Sequence, residues 1–172
     1  STVSHMLEKH GGETYRDIWQ LGLNLALRIG DLLNLTYDDF AGGETITVIE
    51  QKTGKSRTIK LNEKVQTIVK QRQALNPNDN YIFQSVGNRA KKLQKPLSRE
   101  TVARKFAEVG EIIGVHLGTH SMRKTRGYAM WSAGVPLEVI ARVLNHSSPS
   151  ITMRYIGLEQ ADINKTYDDF VL

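Results

Sequence analysis

Cysteine is absent from the 172 residues, which removes disulfides, thiolate nucleophiles and thiolate zinc sites from consideration together. That absence suits a reducing compartment, and the expected location is cytoplasmic. Proline occurs only four times, and no Pro/Gly/Ser-rich run suggests a linker between domains. No apolar run approaches the roughly 18 uncharged residues of a membrane span, and no charged start followed by an apolar core marks a signal peptide. No membrane partner is expected. Acidic residues are outnumbered: 18 Asp and Glu stand against 23 Lys and Arg, a net charge of +5. This excess suits a polyanionic partner without requiring one.

What is present fits one domain, and a globular chain of this length buries about 70% of its extended surface without covalent staples. Ser4-His5-Met6 has the look of a cleaved expression tag. Residues 1–6 are therefore expected to be a tag remnant or linker, and residues 7–172 the domain proper.

Apolar residues Tyr15, Ile18, Trp19, Leu21, Leu25 and Ala26 recur at three- and four-residue steps, predicting a helix over 14–27 with one buried face and Thr14 as its cap. A short helix should follow from Asp31. Thr45–Glu50 and Ser56–Leu61 alternate with β-branched residues around Lys52-Thr-Gly-Lys55, which reads as a β-hairpin. A helix from Asn62 or Glu63 to Leu75, a short extended piece at Tyr81-Ile-Phe and a basic loop over Gln84–Lys95 come next. Ser98 should cap a helix ending at Gly114, and Thr119 one that carries His120 and Arg123 and stops at Gly134. Pro136 and Pro149 each open a short helix, and an amphipathic stretch runs from Leu158 or Glu159 to Leu172. The fold class is α+β: a mostly helical domain with a small antiparallel hairpin or sheet.

Several residues could carry chemistry. His120 and Arg123, three apart on the predicted helix, would share a face and converge on one ligand; arginine presents a planar fork to phosphate oxygens, and histidine moves protons near neutral pH. His146 lies in an Asn-His-Ser-Ser turn, nine positions before Tyr155. Arg28 sits at a helix junction, where a plain ion pair with Asp31 is the simpler reading. Lys52 and Lys55 flank the hairpin tip, where lysine also serves merely to protect a sheet edge. Arg99, Arg104 and Lys105 read either as a solvated helix face or as phosphate contacts, and Arg126 and Arg154 as backbone-phosphate or surface residues.

Taken in order, Leu27-Arg28-Ile-Gly-Asp31-Leu-Leu, Lys52-Thr-Gly-Lys55, His120-Ser-Met-Arg123 and Leu144-Asn-His146-Ser-Ser followed by Tyr155 resemble the catalytic domain of the tyrosine recombinases, the phage integrases and Xer-type recombinases. Two positions depart from that pattern: Asp31 stands for the usual Glu, and Asn145 for the common Gly. The resemblance implies a site-specific DNA recombinase acting on double-stranded DNA through a 3′-phosphotyrosyl intermediate, without metal, cofactor or ATP. It implies catalytic roles for Arg28, Lys52 (preferred over Lys55), His120, Arg123 and His146, with Tyr155 as nucleophile. It further implies an amino-terminal core-binding domain outside this chain, and a tetramer on DNA in the full-length protein with the segment after Tyr155 docking on a neighbour.

Two other readings compete. Leu137–Tyr155 alone resembles a helix-turn-helix, a non-catalytic DNA-binding module that would set Ser148–Arg154 in a groove. A metallohydrolase using His116, His120 and His146 is the third, disfavoured because a helix cap separates the first two histidines and no carboxylate is suitably placed.

Overall fold

Two adjoining helices, α1 (Thr2–Gly11) and α2 (Glu13–Leu25), open the chain. They are joined by Gly12, whose φ of 89° lies where L side chains are strained. Gly12, and not Thr14, occupies the N-cap of α2. The computed structural model describes residues 2–87 and 93–172, which form two compact units, residues 1–122 and 123–172.

In the first unit α2 turns its predicted apolar face inward: Ile18, Trp19, Leu21 and Leu25 are buried. Trp19 meets Phe106 edge-on, ring centroids 6.0 Å apart. Gly22 is required where it stands, because a Cβ there would lie 2.1 Å from Met122 Sδ. Helix α1 runs through Thr2–Met6, and Ser4 is buried, its hydroxyl accepting a 2.8 Å hydrogen bond from Gln20 Nε2. Ala26 ends α2 in the left-handed region, φ 54°, a conformation that costs a non-glycine residue about 1–2 kcal/mol. The chain then reverses into α3 (Ile29–Leu33), with Arg28 as its extended N-cap.

Strands β1 (Thr45–Ile49) and β2 (Ser56–Lys60) pair antiparallel, from Thr45 opposite Lys60 to Ile49 opposite Ser56. Alternation buries Ile46 and half-buries Val48 and Ile59, as a hairpin lying on a core by one face must. Asn62 caps α4 (Glu63–Leu75) by accepting from Val65 N. Arg72 on α4 donates to Asp17 and to the carbonyl of Ile82, and lies over the Phe83 ring, tying the short Tyr81–Phe83 piece to α2. The expected basic loop falls partly outside the described residues; at its ends Gln84 bridges Pro96 and Ser85 N donates to Lys95 O. Ser98 caps α5 (Arg99–Ile113), which stops at the left-handed Gly114, and Val102, Phe106 and Val109 face the core.

Helix α6 (Ser121–Ser132) starts in the first unit and continues into the second. The second unit adds α7 (Leu137–Val143), α8 (Pro149–Tyr155) and α9 (Gln160–Asp169). Pro149 opens α8 from inside its first turn, whereas Pro136 stands one residue earlier, at the N-cap of α7. Helix α7 ends in a Schellman motif: His146 N donates to Ala141 O and Asn145 N to Arg142 O. Asn145 takes the left-handed position, φ 57°. Glycine is favoured there and asparagine tolerated, which accounts for the exchange at this position. Gly127 of α6 faces Ile156 so closely that a Cβ would lie 2.7 Å from Ile156 Cγ2. None of the residues of α9 is buried.

Candidate active site

In the first unit the turn before α3, the tip of the hairpin, the start of α5 and the turn before α6 surround a cleft of about 610 Å³. Arg28, Lys52 and His120, far apart in sequence, all line it, together with Arg99, Asp31 and Thr119. Lys55 is not among the lining residues. With Arg28, Lys52 and Arg99 around one open cleft, the surface is suited to a phosphate, the guanidinium forks offering paired donors.

Arg28 is held differently from the sequence expectation. Its Nη1 donates to Glu50 Oε2 at 2.7 Å, and Asp31 instead accepts from the backbone N–H of Gln51 at 3.1 Å. Glu50 is wholly buried, with Arg57 Nη1 also 3.8 Å from its Oε2. A carboxylate removed from water needs such countercharges; deleting one partner of a buried pair typically costs about 3–5 kcal/mol. His120 is exposed and lies in the turn before α6, because the helix begins at Ser121, whose hydroxyl accepts from Gly118 N. His120 therefore stands one residue before the helix that carries Arg123.

In the second unit Arg123, His146 and Tyr155 gather. Arg123 is buried and its Nη2 donates to Leu144 O at 2.6 Å, the carbonyl that closes α7. The Tyr155 ring is 5.0 Å from the His146 ring, edge-on at 75°, and 5.8 Å from the Arg123 guanidinium carbon. Lys124 Nζ lies 5.5 Å from the same ring. His146 Nδ1 and Thr152 Oγ1 are 2.9 Å apart, and Thr152 is fully buried, so the imidazole is fixed from behind by the helix that carries the tyrosine.

The basic residues of α5 divide. Arg99 lines the cleft, whereas Lys105 pairs with Glu108 at 2.8 Å and lies near the Tyr15 ring, and Arg104 is exposed. Arg126 is half-buried and Arg154 exposed. Glu50, Lys124 and Thr152 were not singled out from the sequence. Thr152 could have been found from its position three residues before Tyr155 on one helix; Glu50, twenty-two residues from Arg28, offers no such local signal. Among the described residues, no group of three or more His, Asp or Glu is gathered to hold a metal ion.

The phage integrase family matches residues 3–161 of the chain. A probable integrase/recombinase, YoeC of Bacillus subtilis, is 38% identical over 151 residues, covering 87% of this chain and 80% of its own. The tyrosine recombinase XerA of Pyrococcus furiosus is 33% identical over 132 residues, 75% of this chain but 45% of the relative, so the chain spans under half of that protein's length. The fold matches that of a lambda integrase dimer bound to a COC′ core site, with a TM-score of 0.71 at 19% identity, over 91% of this chain and 57% of the other. With the ordered motifs and the α+β fold, these matches place the chain in the phage integrase family, the tyrosine recombinases, a class of enzymes that cleave and rejoin DNA.

Proposed function

We propose that residues 7–172 are the catalytic domain of a site-specific DNA recombinase that cuts and rejoins double-stranded DNA through Tyr155. The observation that carries this reading is the setting of Tyr155, with the His146 ring 5.0 Å and the Arg123 guanidinium 5.8 Å from its own ring.

A phenol is a weak nucleophile at neutral pH, so its attack needs proton removal and stabilisation of the phosphorane-like charge it creates. Arg28 and Arg123 supply the second, each offering a planar fork to non-bridging oxygens. The Tyr155 hydroxyl gives up its proton with His120 as acid/base partner, and its oxygen bonds to phosphorus in line. The bond from phosphorus to the 5′-oxygen breaks, and Lys52 protonates that oxygen as it leaves. His146 donates a hydrogen bond to the phosphate. One P–O bond replaces another, so the free 5′-hydroxyl of a second strand can reverse the step without ATP.

On DNA the protein assembles as a tetramer, with the segment after Tyr155 docking on a neighbour. Helix α9 supports this because it buries none of its residues while Ile163, Tyr167 and Phe170 are exposed. A substrate of cellular DNA and a cysteine-free chain both accord with action in the cytoplasm.

The test is covalent trapping. DNA captured by the protein is sequenced to recover the site, and a nicked duplex built on that site is incubated with wild type and with Tyr155→Phe. Wild type is expected to give an adduct that survives boiling in detergent, unaffected by EDTA, and Tyr155→Phe none. An adduct formed equally by Tyr155→Phe would overturn the assignment; retarded DNA with no adduct under any condition would favour the helix-turn-helix reading.

A further inference from the structure

Glu50 belongs to neither the cation set of the cleft nor any motif of the sequence, yet it is a completely buried carboxylate beside Arg28. Its side chain binds Arg28 Nη1 at 2.7 Å. The same residue also builds the hairpin tip: Glu50 N donates to Lys55 O at 2.9 Å, Gly54 N donates to Glu50 O at 2.8 Å, and Thr53 Oγ1 lies 3.4 Å from Glu50 Oε1. Lys52 lies inside that turn. One residue thus connects the guanidinium at the start of α3 with the turn that carries the lysine.

We propose that Glu50 is a positioning residue for DNA cleavage: it fixes the Arg28 guanidinium against the Lys52-bearing turn, so that both cations are set before the phosphate arrives. The proposal deepens the recombinase reading above and rests on it. Arginine is rich in rotamers, and a half-buried arginine with no fixed partner would have to be ordered during the reaction. A carboxylate on one terminal nitrogen fixes the plane of the fork and with it the direction of the remaining donors. The cost to phosphate affinity is limited, because Arg57 also faces Glu50; two guanidiniums against one carboxylate leave the trio positively charged. The gain is electrostatic preorganisation, which acts on the transition state more than on bound substrate.

The experiment uses the full protein and the nicked duplex built on the recovered site, in two forms. One has an ordinary scissile phosphodiester. The other has a methylphosphonate there, in which a methyl group replaces one non-bridging oxygen and removes the charge that Arg28 is there to neutralise. Single-turnover cleavage and DNA affinity are measured for wild type, Arg28→Ala, Glu50→Gln and Glu50→Asp. Glu50→Gln is expected to slow cleavage of the phosphodiester by roughly 30–100-fold, with affinity within about twofold of wild type, and to slow cleavage of the methylphosphonate by less than about threefold. Arg28→Ala should show the same dependence on substrate.

Equal losses by Glu50→Gln on both substrates, or no loss on either, would overturn the proposal, since a general structural defect does not distinguish them. If Glu50→Gln does not fold, Glu50→Asp carries the test. It keeps the charge but withdraws it by one methylene, and a smaller substrate-dependent loss, about 5–10-fold on the phosphodiester alone, is expected; equal losses again overturn the proposal. If Arg28→Ala itself loses equally on both, the phosphate-clamp reading fails and the role of Glu50 fails with it. If Arg28→Ala shows the dependence and the Glu50 variants do not, only the role of Glu50 falls.

Discussion

Thr152 carries no charge, yet its hydroxyl sits 2.9 Å from His146 Nδ1 and so decides how the imidazole ring is turned. Which imidazole nitrogen faces a ligand is set by the bond the other one makes. Thr152→Val keeps the shape of the side chain and removes that bond. It is expected to slow single-turnover DNA cleavage about fivefold, in line with one lost hydrogen bond of about 1 kcal/mol, with DNA affinity little changed and Thr152→Ser close to wild type. Cleavage by Thr152→Val at the wild-type rate would show that the bond has no part in the reaction. At this scale the sequence revealed residue types with distinctive chemistry in an ordered series, and hid those that act on them. Arg28 and Lys52 could be picked out, but the pairing of Arg28 with Glu50 in place of Asp31 could not, because it depends on how the hairpin tip folds against the start of α3.

The elements were legible where periodicity or caps were strong. Helix α2, the hairpin and the helices capped by Asn62 and Ser98 lie where alternation and capping chemistry placed them, with ends shifted by one or two residues. The start of α6 was not. Thr119 looked like a cap, but the Ser121 hydroxyl accepts from Gly118 N, a backward bond that leaves His120 in the turn. Close helix contact was also hidden in the sequence, since a glycine within a helical pattern does not announce what it approaches. Gly127 lets α6 come against Ile156, the residue following Tyr155. Gly127→Ala would force a Cβ to within 2.7 Å of Ile156 Cγ2 and 3.2 Å of Leu144 Cδ1. Such overpacking typically costs about 1–3 kcal/mol. The variant should melt several degrees lower and lose more cleavage activity than DNA affinity, because the strain falls on the end of α8. An unchanged melting temperature would contradict this account of the contact.

For the molecule as a whole, the six candidate residues divide by unit: Arg28, Lys52 and His120 within residues 1–122, and Arg123, His146 and Tyr155 within residues 123–172. Helix α9 and the apolar residues beyond it make little use of their own unit, since α9 buries nothing. Removing residues 159–172 should therefore leave the melting temperature within about 2 °C of wild type, because little buried area is lost. It should also prevent the DNA-bound protein from sedimenting as a tetramer. A loss of several degrees with assembly intact would mean that the segment serves its own fold instead.

The Tyr155 oxygen, the atom that attacks phosphorus, can be identified directly in the trapped adduct. After nuclease and trypsin treatment, the peptide from Tyr155 to Lys165 contains a single tyrosine, so tandem mass spectrometry can assign a nucleotide to it without ambiguity. The expected result is a nucleotide joined through its 3′-phosphate to Tyr155 and absent from every other residue. A nucleotide on Tyr128, Tyr167 or any serine, with Tyr155 unmodified, would contradict it.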